Sequence, residues 1–190
     1  MTIRPIAMIG DPVLRTPAAD VSIGELGEPS TQQLIDDMVD TMRHANGAGI
    51  AANQVSELKR IAVVEVGDNP RYPYKPKIPL TVLVNPIIEV VGHETVVVNE
   101  GCLSVPLRGD VTRHVHIRLQ WLDRTGQAHE ELLHGLTAAT MQHECDHLDG
   151  RLFVDRVVDP RTLTTWEEFD LHHREAFVER ITAFVERVGS

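Results

Sequence analysis

The sequence predicts an α+β fold in which antiparallel strands pack around one central helix, with further helices at the N-terminal and C-terminal ends. Three observations predict it. An amphipathic helical stretch comes first, a series of short β-type runs joined by turn residues occupies the middle, and two further helical stretches close the chain.

After a segment punctuated by Pro and Gly, "STQQLIDDMVDTMRHANG" sets Leu34, Ile35, Met38, Val39 and Met42 on one helical face. Ser30 with Gln33 reads as its capping box, and Gly47 lies beyond its end. The β-type runs are "RIAVVEV" ending at Val66, "LTVLVN" from Leu80, "IIEVV" from Ile87 and "ETVVVNE" from Glu94. In "HVHIRLQWLD" the alternation places Val115, Ile117, Leu119 and Trp121 on one face, and Thr125-Gly126 turns this strand into "QAHEELLH". Gly67 to Pro79 is too rich in proline for regular structure and reads as a surface loop. "LTAATMQHECDHL" is the central helix, ended by Gly150. A final helix over about 165–188, capped by Thr165 and Glu168, carries Trp166, Phe169, His173, Phe177, Ile181, Phe184 and Val188 as a core-packing stripe.

A chain of 190 residues is long enough for one domain with a real core, so residues 1–190 are expected to form a single domain. The net charge of −10 argues against a basic face that grips phosphates, and nucleic acid is not an expected partner. No apolar run has the length of a signal peptide or a membrane span, so a cytoplasmic location and no membrane partner are expected. In a reducing cytosol the two cysteines, Cys102 and Cys145, are expected to stay unpaired.

The chemistry is concentrated in "TMQHECDHLDG". Residues four apart on a helix lie one above the other, so His143 and His147 can face one ion with Glu144 beside it. A third ligand has three candidates. A later histidine in the longer H-E-x-x-H-x-x-G-x-x-H pattern is absent, because Phe153 stands there. Glu167 lies downstream at a workable separation but begins a helix, where an acid is already accounted for. The last candidate is a thiolate. Cys145, about 200° around the helix from His143, points away, whereas Cys102 in "NEGCLSVP" follows a strand and stands free of periodic packing. A Cys/His/His set leaves a position for water, as hydrolysis requires. "GAGIAANQ", Gly47 to Gln54, supplies close backbone approach and a side-chain amide for developing negative charge. Its loose G-x-G-x-x-A follows a helix rather than a strand, which argues against a dinucleotide site.

Taken together, "GAGIAANQ", "EGCLS" and "QHECDH", with "GDPVLR", "LVNPII" and "HLDGRLFVDR", resemble the peptide deformylase family over most of the chain. The resemblance implies a metallohydrolase that removes the formyl group from the N-terminal formyl-methionine of new polypeptides. It implies Cys102, His143 and His147 as metal ligands, which makes the central helix the metal-binding one, and Glu144 as the catalytic carboxylate. Gln54 and the Leu103 N–H are implied as oxyanion donors, Gly49 as a neighbour of the substrate backbone, and Ala48, Val98, Leu136 and Ala139 as the methionine pocket. Arg113 matches an arginine that pairs with Glu100, and Arg108 a contact to the peptide backbone, with a solvated side chain as its alternative. Iron(II) is the ion implied first, with zinc, nickel or cobalt as substitutes. The formylated nascent peptide is the implied partner, with transient proximity to the ribosome. The chain departs from the family at Leu107, where many members have glycine, in a "PLRGDVTR" segment one residue shorter, and at Asn53 in place of proline. Two rival readings are a zinc peptidase that uses Glu167 as third ligand and a non-catalytic paralogue that binds metal or formyl-peptide.

Overall fold

The computed structural model describes residues 2–67 and 74–189. A short helix α1 (Ile23–Leu26) is closed by a capping box between Ser22 and Glu25, and α2 (Pro29–His44) follows directly. The expected Ser30/Gln33 box does not start α2. Pro29 occupies its first turn after Glu28, with no side-chain cap. Proline's fixed φ and missing N–H suit the first helical position, so the helix begins a residue early and Ser30 already lies inside it. The apolar face is as read: Leu34, Ile35, Met38, Val39 and Met42 are buried.

Seven strands come next among the described residues: β1 (Gly49–Ala51), β2 (Ile61–Val66), β3 (Ile78–Val90), β4 (Thr95–Cys102), β5 (Val105–His114), β6 (His116–Leu122) and β7 (Ala128–His134). Every pairing is antiparallel, giving a five-stranded sheet in the order β1-β2-β3-β6-β7 and a separate β4-β5 hairpin. The runs at Leu80 and Ile87, expected as two strands, are one strand, β3. Its register shifts between Val84 and Ile87, around Asn85 at φ +51° and Pro86. Pro86 cannot donate to a ladder, and a bulge removes that need. The Asn85 side chain meanwhile bonds both N and O of Val21 at 2.9 Å and ties the N-terminal segment to the sheet. Of the stretch expected as a loop, residues 68–73 lie outside the described residues, 74–77 are irregular, and Ile78 and Pro79 belong to β3.

Strands β1 and β5 were not anticipated. The first is only three residues long, and β5, which contains "PLRGDVTR", buries Arg108 and Arg113 among its inward residues, so no alternation of apolar residues marks it.

Helix α3 (Gly135–Leu148) carries the H-E-x-x-H motif and is buried on almost all sides, between the five-stranded sheet and the β4-β5 hairpin. The final helix is interrupted. Helix α4 (Trp166–His172) and helix α5 (Arg174–Val188) meet at His173, where φ is −124°. Thr165 caps α4 by accepting from the Glu168 N–H at 3.3 Å. Phe169, Phe177, Ile181 and Phe184 pack in one cluster with Val98, Leu136 and Ala139, as a core stripe should. His173 is exposed and Trp166 only half-buried, so neither is part of the buried stripe: the turn at His173 separates α4 from α5, and Trp166 packs on Arg108 instead.

Candidate active site

Helix α3 sets His143 and His147 one turn apart, and the end of β4 delivers Cys102 to the same point, with the ligand atoms of all three within 4.8 Å of one another. The Cys102 sulfur is 3.2 Å from His147 Nε2. His143 Nδ1 lies 2.9 Å from Glu100 Oε2, which turns the other ring nitrogen toward the cluster. A sulfur and two imidazoles are a donor set for a transition ion, and three protein ligands leave a position open to water.

A charged network surrounds this cluster. Glu100 accepts two bonds from Arg113, at 2.7 and 2.8 Å, and Arg113 also donates to Asp146 at 2.6 Å. Asp146 in turn accepts from Arg156. Burial alone would raise the Glu100 pKa, but Arg113 and His143 hold it well below the usual carboxylate range. Burial likewise opposes the charge on Arg113, yet Glu100 and Asp146 keep its pKa above the ordinary value. Burial also works against a protonated His143, and the Cys102 sulfur and Glu100 outweigh it, raising the pKa to about 10.

Glu144 stands beside the cluster with its Oε2 buried and without a partner among the described residues. Burial lifts its pKa to about 7, against the nearby charges of His143 and Lys75. Gly49 makes room for it: a β-carbon at position 49 would lie 2.4 Å from Glu144 Oε1. The Gln54 amide is held at both ends, its Oε1 accepting from the Ala51 N–H at 2.9 Å and its Nε2 donating to Ser104 Oγ at 2.9 Å and lying 3.5 Å from the Cys102 sulfur. The Ser104 N–H also points at that sulfur, at 3.3 Å, so the outer donors fix its orientation. Asn53, in the place of the family's proline, donates to the His147 carbonyl.

The cluster opens into a cleft lined by Ala48, Gly49, Gln54, Val98, Leu103, Leu136 and Ala139, together with Glu144 and His143. All the residues anticipated for the substrate pocket are therefore brought together. Arg108 also lines the cleft, but the solvated alternative fails: the side chain is 2% exposed, donates to Asn99 Oδ1 and Asn99 O at 2.8 Å, and lies 4.3 Å from the ring centroids of both Trp166 and Phe169. Glu167 is exposed on α4 and is not part of the three-residue cluster. Cys145 is buried, its thiol pushed up to about 12 by burial, and it too stands outside the cluster. Neither cysteine forms a disulfide.

Sequence reasoning missed Asp146, Lys75 and Trp166. Asp146 sits inside the quoted motif, three residues after His143, so its helical phase was a usable signal. Lys75 falls in the proline-rich stretch read as a loop, and nothing local marks it as the cation 3.2 Å from Thr140 Oγ1 whose pKa burial lowers. Trp166 was read as core packing but lines the cleft.

The model of the polypeptide deformylase family matches residues 3–162. A peptide deformylase of Leptospira biflexa is 42% identical over 172 residues, 90% of this chain and 96% of that protein. Peptide deformylase 2 of a Nostoc species is 44% identical over 168 residues, 87% of this chain and 92% of its own length. Among solved structures, the Met-ala-ser-bound class I type b peptide deformylase of Acinetobacter baumannii superposes with a TM-score of 0.79 at 42% identity, over 82% of this chain and 99% of that one. No helix among the described residues is long and apolar enough to cross a membrane. With a metal-capable Cys/His/His cluster at the centre of an α+β fold and these similarities along most of its length, the chain belongs to the peptide deformylase family.

Proposed function

We propose that this chain is a metal-dependent hydrolase that takes the formyl group from the N-terminal formyl-methionine of newly made polypeptides and releases formate. One observation carries the reading: Glu144, buried, with an oxygen that has no partner among the described residues, stands beside a Cys/His/His cluster that opens into a cleft. A proton acceptor in that position has water as its natural partner.

Cys102, His143 and His147 would hold the ion. When bound, it supplies Lewis-acid activation of water and of the formyl carbonyl. Glu144 takes the proton of the attacking water, its carboxyl held by burial near the pH at which it can both accept and return a proton. Negative charge then collects on the former carbonyl oxygen, where the Gln54 amide and the Leu103 N–H serve as donors. As the C–N bond breaks, Glu144 returns the proton to the departing amine. Ala48, Val98, Leu136 and Ala139 form an apolar wall for the methionine side chain, which is unbranched and fits irregular apolar space. Gly49 and Arg108 lie along the peptide backbone.

The whole of residues 1–190 acts as one catalytic domain on this reading, since α5 packs against α3 and buries Leu136 and Ala139 with its own phenylalanines. Iron(II) is the ion proposed, with zinc, nickel or cobalt able to bind the same donors; metal analysis of protein purified without oxygen distinguishes them. The enzyme would work in the cytoplasm on nascent chains, and cosedimentation with ribosomes tests the proximity this implies.

The non-catalytic reading rested on the altered "PLRGDVTR" segment. Leu107 packs against a cluster of Leu14, Cys102, Val105 and Phe153 and does not line the cleft, and Arg108 of the same segment keeps its place in the cleft wall, which supports the catalytic reading. Formate release from formyl-Met-Ala-Ser is the deciding measurement. Protein that carries about one metal per chain and releases none would defeat the proposal.

A further inference from the structure

The family match ends at residue 162, and among the described residues Trp166 is the one beyond that point that lines the cleft. Its neighbours in sequence, Phe169 and Phe177, are buried in the core, whereas the indole stays half-exposed at the start of α4. It packs on the backbone next to Cys102, since a β-carbon at Gly101 would lie 2.4 Å from the indole Cζ2. Its ring also faces the Arg108 guanidinium at 4.3 Å, with Phe169 giving a second ring at 4.3 Å. Arg108 is thus fixed between Asn99 and two rings of α4. An indole that packs on an arginine in this way and lines a cleft is an amphipathic contact surface of low conformational freedom.

Val98, Leu136 and Ala139 line the cleft as buried residues and Trp166 lines it half-buried, which puts the indole on a less enclosed part of the wall. We propose that Trp166 is a positioning residue for the part of the peptide that follows the formyl-methionine: its indole forms the outer wall of the cleft and holds Arg108 against Asn99. The inference rests on the deformylase reading and adds to it that a residue of the C-terminal segment, beyond the stretch matched by the family model, takes part in gripping the downstream peptide.

The test compares Trp166→Ala and Trp166→Phe with the parent chain on formyl-Met-Ala-Ser and on formyl-methionine amide, which lacks the downstream residues. Trp166→Ala should raise KM for the longer substrate by about tenfold, leave its kcat within about twofold, and leave KM for the amide unchanged, with Trp166→Phe recovering most of the loss. Equal KM changes for both substrates, or a loss confined to kcat, overturn it. A second readout needs no turnover. The chain has two tryptophans and Trp121 is buried, so titration with Met-Ala-Ser should change indole emission in the parent and not in Trp166→Phe. An undiminished change in Trp166→Phe overturns the proposal even if Trp166→Ala fails to fold. Absence of formate release would sink the deformylase reading alone, while the titration still decides the contact.

Discussion

Gly49 and Glu144 are in contact such that any side chain on the first would displace the carboxylate of the second. The short strand β1 brings the backbone of Gly49 against the α3 motif, and a β-carbon there would sit 2.6 Å from Glu144 Cδ as well as closer still to its oxygen. A buried carboxylate has few places to go. Gly49→Ala is expected to lower kcat by about tenfold to a hundredfold while metal content stays near one per chain, because proton transfer depends on placement to a fraction of an ångström. Glu144→Gln should lower kcat by about a hundredfold or more, again with metal retained, since the proton acceptor is lost and the ligands remain. If Glu144→Gln keeps activity within tenfold of the parent, another group is the base.

Cys102 and Cys145 should behave oppositely. Cys102→Ser is expected to strip the metal on dialysis, whereas Cys145→Ala keeps it, as only the former lies in the ligand cluster. The Cys145 thiol, raised to about 12, should also resist alkylation in the folded protein at neutral pH, because little thiolate forms. Metal loss in Cys145→Ala would overturn the ligand assignment.

Arg113 balances two buried carboxylates, Glu100 and Asp146. Arg113→Met should destabilise the fold by about 3–5 kcal/mol, the scale on which removal of one partner leaves buried charge uncompensated. The pH dependence has a definite sign. Glu100 has a folded pKa below its ordinary 4.5, so its contribution is complete above that value and is lost as pH falls toward the lower, folded one. In Arg113→Met the principal cause of the depression is gone, and acid unfolding should begin nearer neutrality. Urea midpoints measured from pH 3 to 8 check this, and parallel curves for the two proteins would sink it.

Ala48 lies in the cleft wall, and on the proposed reading its methyl sets the room left for the first side chain. Formyl-methionine should remain the preferred substrate, with formyl-phenylalanine penalised only mildly. Ala48→Ile should sharpen discrimination between them by about 1 kcal/mol or more, the scale of a methylene or two in an apolar pocket. The ratio of kcat/KM for the two peptides in both proteins is the measure. An unchanged ratio removes Ala48 from the pocket.

By itself the sequence determined what local periodicity can encode. His143, Glu144 and His147 share one helical motif, the buried face of α2 follows from its spacing of three and four, and the alternation of Val115, Ile117, Leu119 and Trp121 marks the inner face of β6 and the residue before it. The third ligand was open on local grounds, between Cys102 and Glu167, and the motif resemblance favoured the thiol. Tertiary structure decided what depends on partners far along the chain. Strand β5 was illegible because its inward residues include Arg108 and Arg113, whose burial is tolerable only beside Asn99, Glu100, Asp146 and the rings of α4. The same holds for Lys75 and Trp166, which reach the cleft from segments whose local composition reads as loop and as core stripe. A polar or aromatic side chain acquires its meaning from what desolvates and pairs with it, and those partners are set by the docking of the β4-β5 hairpin and the C-terminal helices onto α3, not by neighbours in sequence.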